Sequence, residues 1–132
     1  MRQTGNPAAA RAVLHSIAPQ LFVADMKRSC DFFTEKLGFR VVFLHGEPPF
    51  YGQVERDGVR LNLRHVDAPL VDQALRERED YLSASIDADD VQRLYAEFQA
   101  SGVAFHQPLR KEPWGATTFI VEDPDGNLVL FA

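Results

Sequence analysis

The chain has little sulfur to work with: one cysteine, Cys30, and two methionines in 132 residues. A single thiol excludes an internal disulfide and a thiolate zinc site, and it fits a reducing, cytoplasmic setting. Long apolar runs are also missing. Charge interrupts every apolar segment short of the roughly 18 residues that read as a membrane-spanning helix, and Met1 to Ala12 lacks the apolar stretch a secretory signal needs. Basic residues are in deficit, with 14 Lys+Arg against 19 Asp+Glu and a net charge of −5. That balance disfavours nucleic acid and anionic lipid, partners that need clustered Lys and Arg. No Gly-x-Ser-x-Gly, Walker or Gly-x-Gly-x-x-Gly pattern occurs, so hydrolase elbows and nucleotide-binding loops receive no support.

What is present is an average globular composition, 45% hydrophobic and 25% charged, arranged as an internal duplication. Residues 17–66 read as a strand (Ile17 to Val23), a helix (Met26 to Leu37), a break at Gly38, then strands with a turn at Asp57–Gly58. Residues 81–132 repeat that order: a strand (Tyr81 to Ile86), a helix (Asp90 to Ala100), a break at Gly102, then strands with a turn at Asp125–Gly126. The predicted fold class is therefore α+β, two tandem β-α-β-β-β modules in one domain spanning 17–132. Residues 1–16 form a tail whose first nine residues are expected to be disordered, and 67–80 form a connector with one short helical turn. Modules of about fifty residues are small for burying a sheet alone, which predicts a homodimer.

Spacing carries the helix assignments. Met26, Cys30, Phe33 and Leu37 fall at i, i+4, i+7 and i+11, and Val91, Leu94, Tyr95 and Phe98 at i, i+3, i+4 and i+7. Cys30 sits on the first stripe and so reads as a core residue, not a nucleophile. Asp25 and Asp89 stand at the expected N-caps, with Gln92 three residues after Asp89 as in a capping box. Val59, Leu61 and Leu63 alternate with Arg60, Asn62 and Arg64, giving that strand one apolar and one polar face.

The run LFVADMKRSCDFFTEKLGF, Leu21 to Phe39, resembles the first-module pattern V-x-D-x-x-x-S-x-x-F-[YF]-x-x-x-L-G-F of the vicinal oxygen chelate superfamily, which includes glyoxalase I, extradiol dioxygenases and the bleomycin and fosfomycin resistance proteins. EDPDGNLVLFA, Glu122 to Ala132, resembles its closing hairpin. EPWGATTFIVEDPDGN, Glu112 to Asn127, is most similar to the bleomycin-binding branch. The resemblance implies curved sheets that wrap a cleft, in many members completed by a second chain.

In the metalloenzymes of the superfamily, His, Glu or Gln on the strands hold a divalent metal. The corresponding positions here are Ala18, Asn62, Tyr81 (to within one residue) and Leu130, none of them a usual ligand and only Asn62 a weak one. His15, His45, His65 and His106 do not replace them at ligand spacing, and read as structural or exposed. The resemblance therefore implies a metal-free, cofactor-free binding protein that sequesters a planar or aromatic small molecule, such as an antibiotic. A metal-dependent lyase or dioxygenase with an atypical site is the alternative, and a structural or regulatory dimer with a closed cleft is a third reading.

Candidate ligand-binding residues are Phe43, Phe50, Asn62, Arg64, Tyr81 and Trp114: the aromatics to stack on a flat ring, Asn62 to orient a polar group, and Arg64 to pair an anionic one. Arg60 and Arg64 share the face of Asn62 at period two, where they would repel a cation and welcome a carboxylate or phosphate.

Overall fold

The computed structural model describes residues 10–132; the expected disorder of Met1 to Ala9 lies outside them. Module 1 comprises β1 (Gln20–Val23), α1 (Met26–Asp31) running into a π-helical turn (Phe32–Lys36), β2 (Arg40–His45), β3 (Tyr51–Arg56) and β4 (Val59–His65). A connector helix, α2 (Gln73–Glu79), leads to module 2: β5 (Leu82–Ile86), α3 (Val91–Ala100), β6 (Phe105–Lys111), β7 (Thr117–Glu122) and β8 (Leu128–Phe131). Each module forms a four-stranded sheet, ordered β1-β4-β3-β2 and β5-β8-β7-β6. The two orders are the same pattern, with one parallel pair and two antiparallel pairs in each. The duplication expected from the sequence is thus a duplication of topology. No helix of the described residues is long and apolar enough to cross a membrane.

The apolar stripes do what their spacing dictates. Met26, Cys30, Phe33 and Leu37 are all buried, against Leu21, Val23, Val54, Leu61 and Leu63 of the first sheet. Phe98 of α3 packs edge-on against Phe119 and Phe131 of the second. Full burial of each such side chain stabilises the fold by about 1.5–3 kcal/mol. The π-helical turn holds the adjacent Phe32 and Phe33 rings edge to face, 5.3 Å apart, with Phe33 and Leu37 both fully buried.

Four local details differ from the sequence reading. β1 starts at Gln20, not Ile17: Pro19 has no N–H to give a ladder, and Ile17 is exposed. The connector's single turn is a seven-residue helix capped by Asp72, which accepts from the backbone N–H of Ala74 and Leu75. Tyr81 belongs to the end of that helix, its N–H donating to the Arg76 carbonyl, so β5 begins at Leu82. The N-cap of α3 is Asp90, not Asp89: Asp90 accepts from the Arg93 N–H at 3.0 Å, which moves Gln92 out of capping-box register.

The modules clasp each other reciprocally through their Asp-Gly turns. Asp57 and Gly58 both take positive φ, as a two-residue hairpin demands, and beside them Arg56 reaches into module 2 to pair with Glu97 at 2.7 Å. From the other side, Asp125 accepts from Ala24 N–H (2.8 Å) and Arg28 (3.0 Å), and Asn127 Nδ2 donates to the Phe22 carbonyl at 3.0 Å. Asp123 organises that second turn, accepting from the N–H groups of Asp125 and Asn127 and from Asn127 Nδ2. Burial outweighs these donors and raises its carboxyl to about 6. Gly126 is called for by its φ of +79°, which L side chains rarely adopt.

Candidate functional site

α1 and α3 each cover one face of their own sheet, so the opposite faces are the ones to compare as ligand surfaces. On the first sheet, cross-strand register arranges that face in three rows. Arg40, Glu55 and Arg60 form the first; Gln20, Asn62, Gln53 and Phe43 the second; Phe22, Arg64, Tyr51 and His45 the third. In the first row Glu55 pairs with Arg40. In the second, Gln53 Nε2 donates to Asn62 Oδ1 at 2.9 Å. Between the second and third, the Phe43 and Tyr51 rings lie 5.6 Å apart. At the β2–β3 corner Phe50 packs edge-on to His45 at 5.5 Å. Phe43 is 39% exposed and Phe50 47%.

The second sheet presents a different surface. Ile120 and Leu128, which point away from α3, are fully buried. Beside them runs a buried polar chain: Gln107 Nε2 donates to Thr118 Oγ1 (3.0 Å), Thr118 Oγ1 donates to Glu112 Oε2 (2.9 Å), and Arg110 Nε donates to Glu112 Oε1 (3.0 Å). Glu112 is 6% exposed, and its backbone closes the β6–β7 hairpin through bonds to Ala116 and Gly115. At the tip of that hairpin Trp114 stands 74% exposed. Toward the other end, burial and the neighbouring Glu77 carboxylate raise the Glu122 carboxyl, and His106 meets Asp80 at 2.7 Å.

Of the six residues singled out from the sequence, Phe43, Asn62 and Arg64 therefore share one sheet face, with Phe50 at its corner. Tyr81 ends the connector helix and Trp114 belongs to module 2, and no aromatic contact among the described residues joins either to that face. Gln53 escaped the sequence reading although a signal for it existed. The two-residue Asp57–Gly58 turn fixes the register of β3 on β4, so whatever faces Asn62 must be Gln53.

The superfamily's metal positions do not fit a metal here. Ala18 and Leu130 offer no side-chain lone pair, Tyr81 is exposed at the end of α2, and the Asn62 oxygen is committed to Gln53. Among the described residues no three His, Cys, Asp or Glu side chains cluster as a metal site would require. A cavity of about 650 Å³ does open between the modules, lined by Asp57, Asp87, Asp89, Asp90 and Glu97 against Arg56 and Arg93. Three of its polar groups already serve the fold, Asp90 as a helix cap and Arg56 as a strut to Glu97 and the Leu37 carbonyl. It is a seam between modules, and none of the six candidate residues lines it.

Residues 13–131 match the family model of the Glyoxalase/Bleomycin resistance protein/Dioxygenase superfamily. A bleomycin resistance protein of Geobacillus stearothermophilus is 31% identical over 130 residues, covering 90% of this chain and 96% of that one, and one from Staphylococcus aureus aligns equally well. Among solved structures, the bleomycin-binding protein of the bleomycin producer Streptomyces verticillus, in complex with copper(II)-bleomycin, superimposes with a TM-score of 0.71 at 23% identity, over 92% of this chain and 98% of that one. The bleomycin resistance determinant encoded on transposon Tn5 superimposes with a TM-score of 0.72 at 20% identity, over 89% and 96%.

Proposed function

The chain belongs to the glyoxalase/bleomycin resistance protein/dioxygenase superfamily, and from that premise we propose that it is a metal-free binding protein that sequesters a planar or aromatic small molecule, such as an antibiotic, without transforming it. The observation that carries this reading is the helix-free face of the first sheet. It offers exposed aromatic rings and a hydrogen-bonding amide pair where the superfamily's enzymes need metal ligands. Aromatic pairing there contributes about 0.5–1.5 kcal/mol beyond area burial, enough to select flat ligands. The kinship to bleomycin resistance proteins supports an antibiotic as the ligand.

The site is completed in a homodimer, in which a second copy brings Tyr81 and Trp114 to the face holding Phe43, Phe50, Asn62 and Arg64. The lone buried cysteine suits a cytoplasmic protein, and the acidic net charge suits one that avoids nucleic acid and membrane surfaces.

Trp114 is the only tryptophan, so its emission reports directly on the site. Titration with bleomycin and with other planar ligands should give a saturable change for at least one of them, with the ligand recovered at unchanged mass. By calorimetry, Trp114→Ala should weaken that ligand by roughly tenfold, the loss of one stacked ring. A ligand recovered chemically altered, or an affinity indifferent to Trp114→Ala, would overturn the proposal.

A further inference from the structure

The three rows of the first sheet's open face are more selective than a generic aromatic surface, and their charge runs against that of the molecule. The chain carries a net −5, yet this face holds three arginines and one glutamate. That glutamate, Glu55, is taken by Arg40. Arg60 reaches only the neutral Gln53 oxygen, at 3.5 Å. Arg64 forms no ion pair or side-chain hydrogen bond among the described residues, and both Arg60 and Arg64 are exposed. Two guanidiniums without carboxylate partners thus stand on one strand, on either side of Asn62.

Position decides which of them meets the ligand. Arg64 is directly opposite Tyr51, whose ring touches that of Phe43, and beside Phe22 across the parallel pairing. Arg60 instead borders the Arg40–Glu55 pair, away from the rings. An acidic group on Arg64 would therefore extend its ring system over Phe43 and Tyr51. Asn62 lies two residues away on the same face, about 7 Å along the strand. With its oxygen bound to Gln53, the Asn62 amide has its two N–H bonds left to donate.

Resting on the binding function proposed above, we infer that the ligand class of this site is an aromatic acid: a flat ring system whose carboxylate pairs with the Arg64 fork and whose hydrogen-bond acceptor, about 7 Å away, meets Asn62. A cationic planar ligand gains the same stacking but must approach uncompensated positive charge, which discriminates against it.

Two probes with one ring system and opposite charge separate charge from stacking. Calorimetric titration of the full chain with 2-naphthoate should show saturable binding that weakens with added salt, while 2-naphthylmethylammonium binds at least tenfold more weakly. Arg64→Gln should remove most of that preference by weakening naphthoate alone. Arg60→Gln should change it only a few-fold, and far-UV circular dichroism should show both variants folded. Ammonium binding as tight as naphthoate, or a preference that survives Arg64→Gln, overturns the inference while leaving a planar-ligand protein. Binding of bleomycin but not of naphthoate does the same. Saturable binding of none of the three overturns the binding function itself.

Discussion

The two modules share one strand order and one connectivity, yet they spend the faces turned away from α1 and α3 differently. In module 1 that face stays open: Phe43 and Arg64 are exposed, and the Gln53–Asn62 amide pair is half-buried. In module 2 the corresponding face is closed, with Ile120 and Leu128 fully buried and the Gln107–Thr118–Glu112 chain satisfied internally. A duplicated unit can afford this division. One copy leaves its sheet face open, and the other anchors the hairpin on which Trp114 stands exposed. The clasp between them, made by one Asp-Gly turn from each side, fixes the two faces relative to each other.

That contrast is sharpest in the cores. Phe119 is fully buried, stacks on Phe131 at 5.2 Å, and meets Tyr95, Phe98 and Phe105. Phe119→Ala should cost about 3–5 kcal/mol of stability in urea denaturation. A loss under 1 kcal/mol would mean that module 2 is not the supporting half.

Next in size is the clasp. Asp123 has a carboxyl raised to about 6 in the folded chain from an ordinary 3.8, so the native state binds a proton that the unfolded state has already released. Its contribution to stability is therefore complete below pH about 4, falls as pH rises toward 6, and is flat above, an effect of up to about 3 kcal/mol. Asp123→Asn should remove this component, so the change in melting temperature between pH 4.5 and 7 should differ between variant and wild type. Equal changes would refute the raised carboxyl of buried Asp123.

The smallest effect belongs to the open face. Phe43→Ala should alter unfolding stability by no more than about 0.5 kcal/mol, because the ring is not part of a closed core, while lowering affinity for a planar ligand. A large stability loss would show that this face is structural and erase the comparison.

How much of this could be read in the sequence depended on whether the deciding contact was local. The apolar stripe from Met26 to Leu37 and the Asp57–Gly58 turn are periodicity and turn chemistry, and both were legible. So was the shared face of Arg60, Asn62 and Arg64, because β4 runs without a bulge and alternation holds along it. Gln53 was within reach through the same turn. The Glu112 chain was not. β6 breaks register twice, between Phe105 and Gln107 and between Gln107 and Arg110, so parity along that strand cannot say which way Gln107 faces. Asp90 displaced Asp89 as a cap because two adjacent aspartates satisfy the same local rule, and only the backbone geometry chooses between them.

A ligand held by the open face of module 1 together with the Trp114 hairpin would shield both segments from solvent. Hydrogen–deuterium exchange of the full chain, with and without saturating 2-naphthoate or bleomycin, tests it most directly. Residues 40–65 and 112–116 should become protected. Protection confined to residues 86–97, along the seam between the modules, would contradict the account.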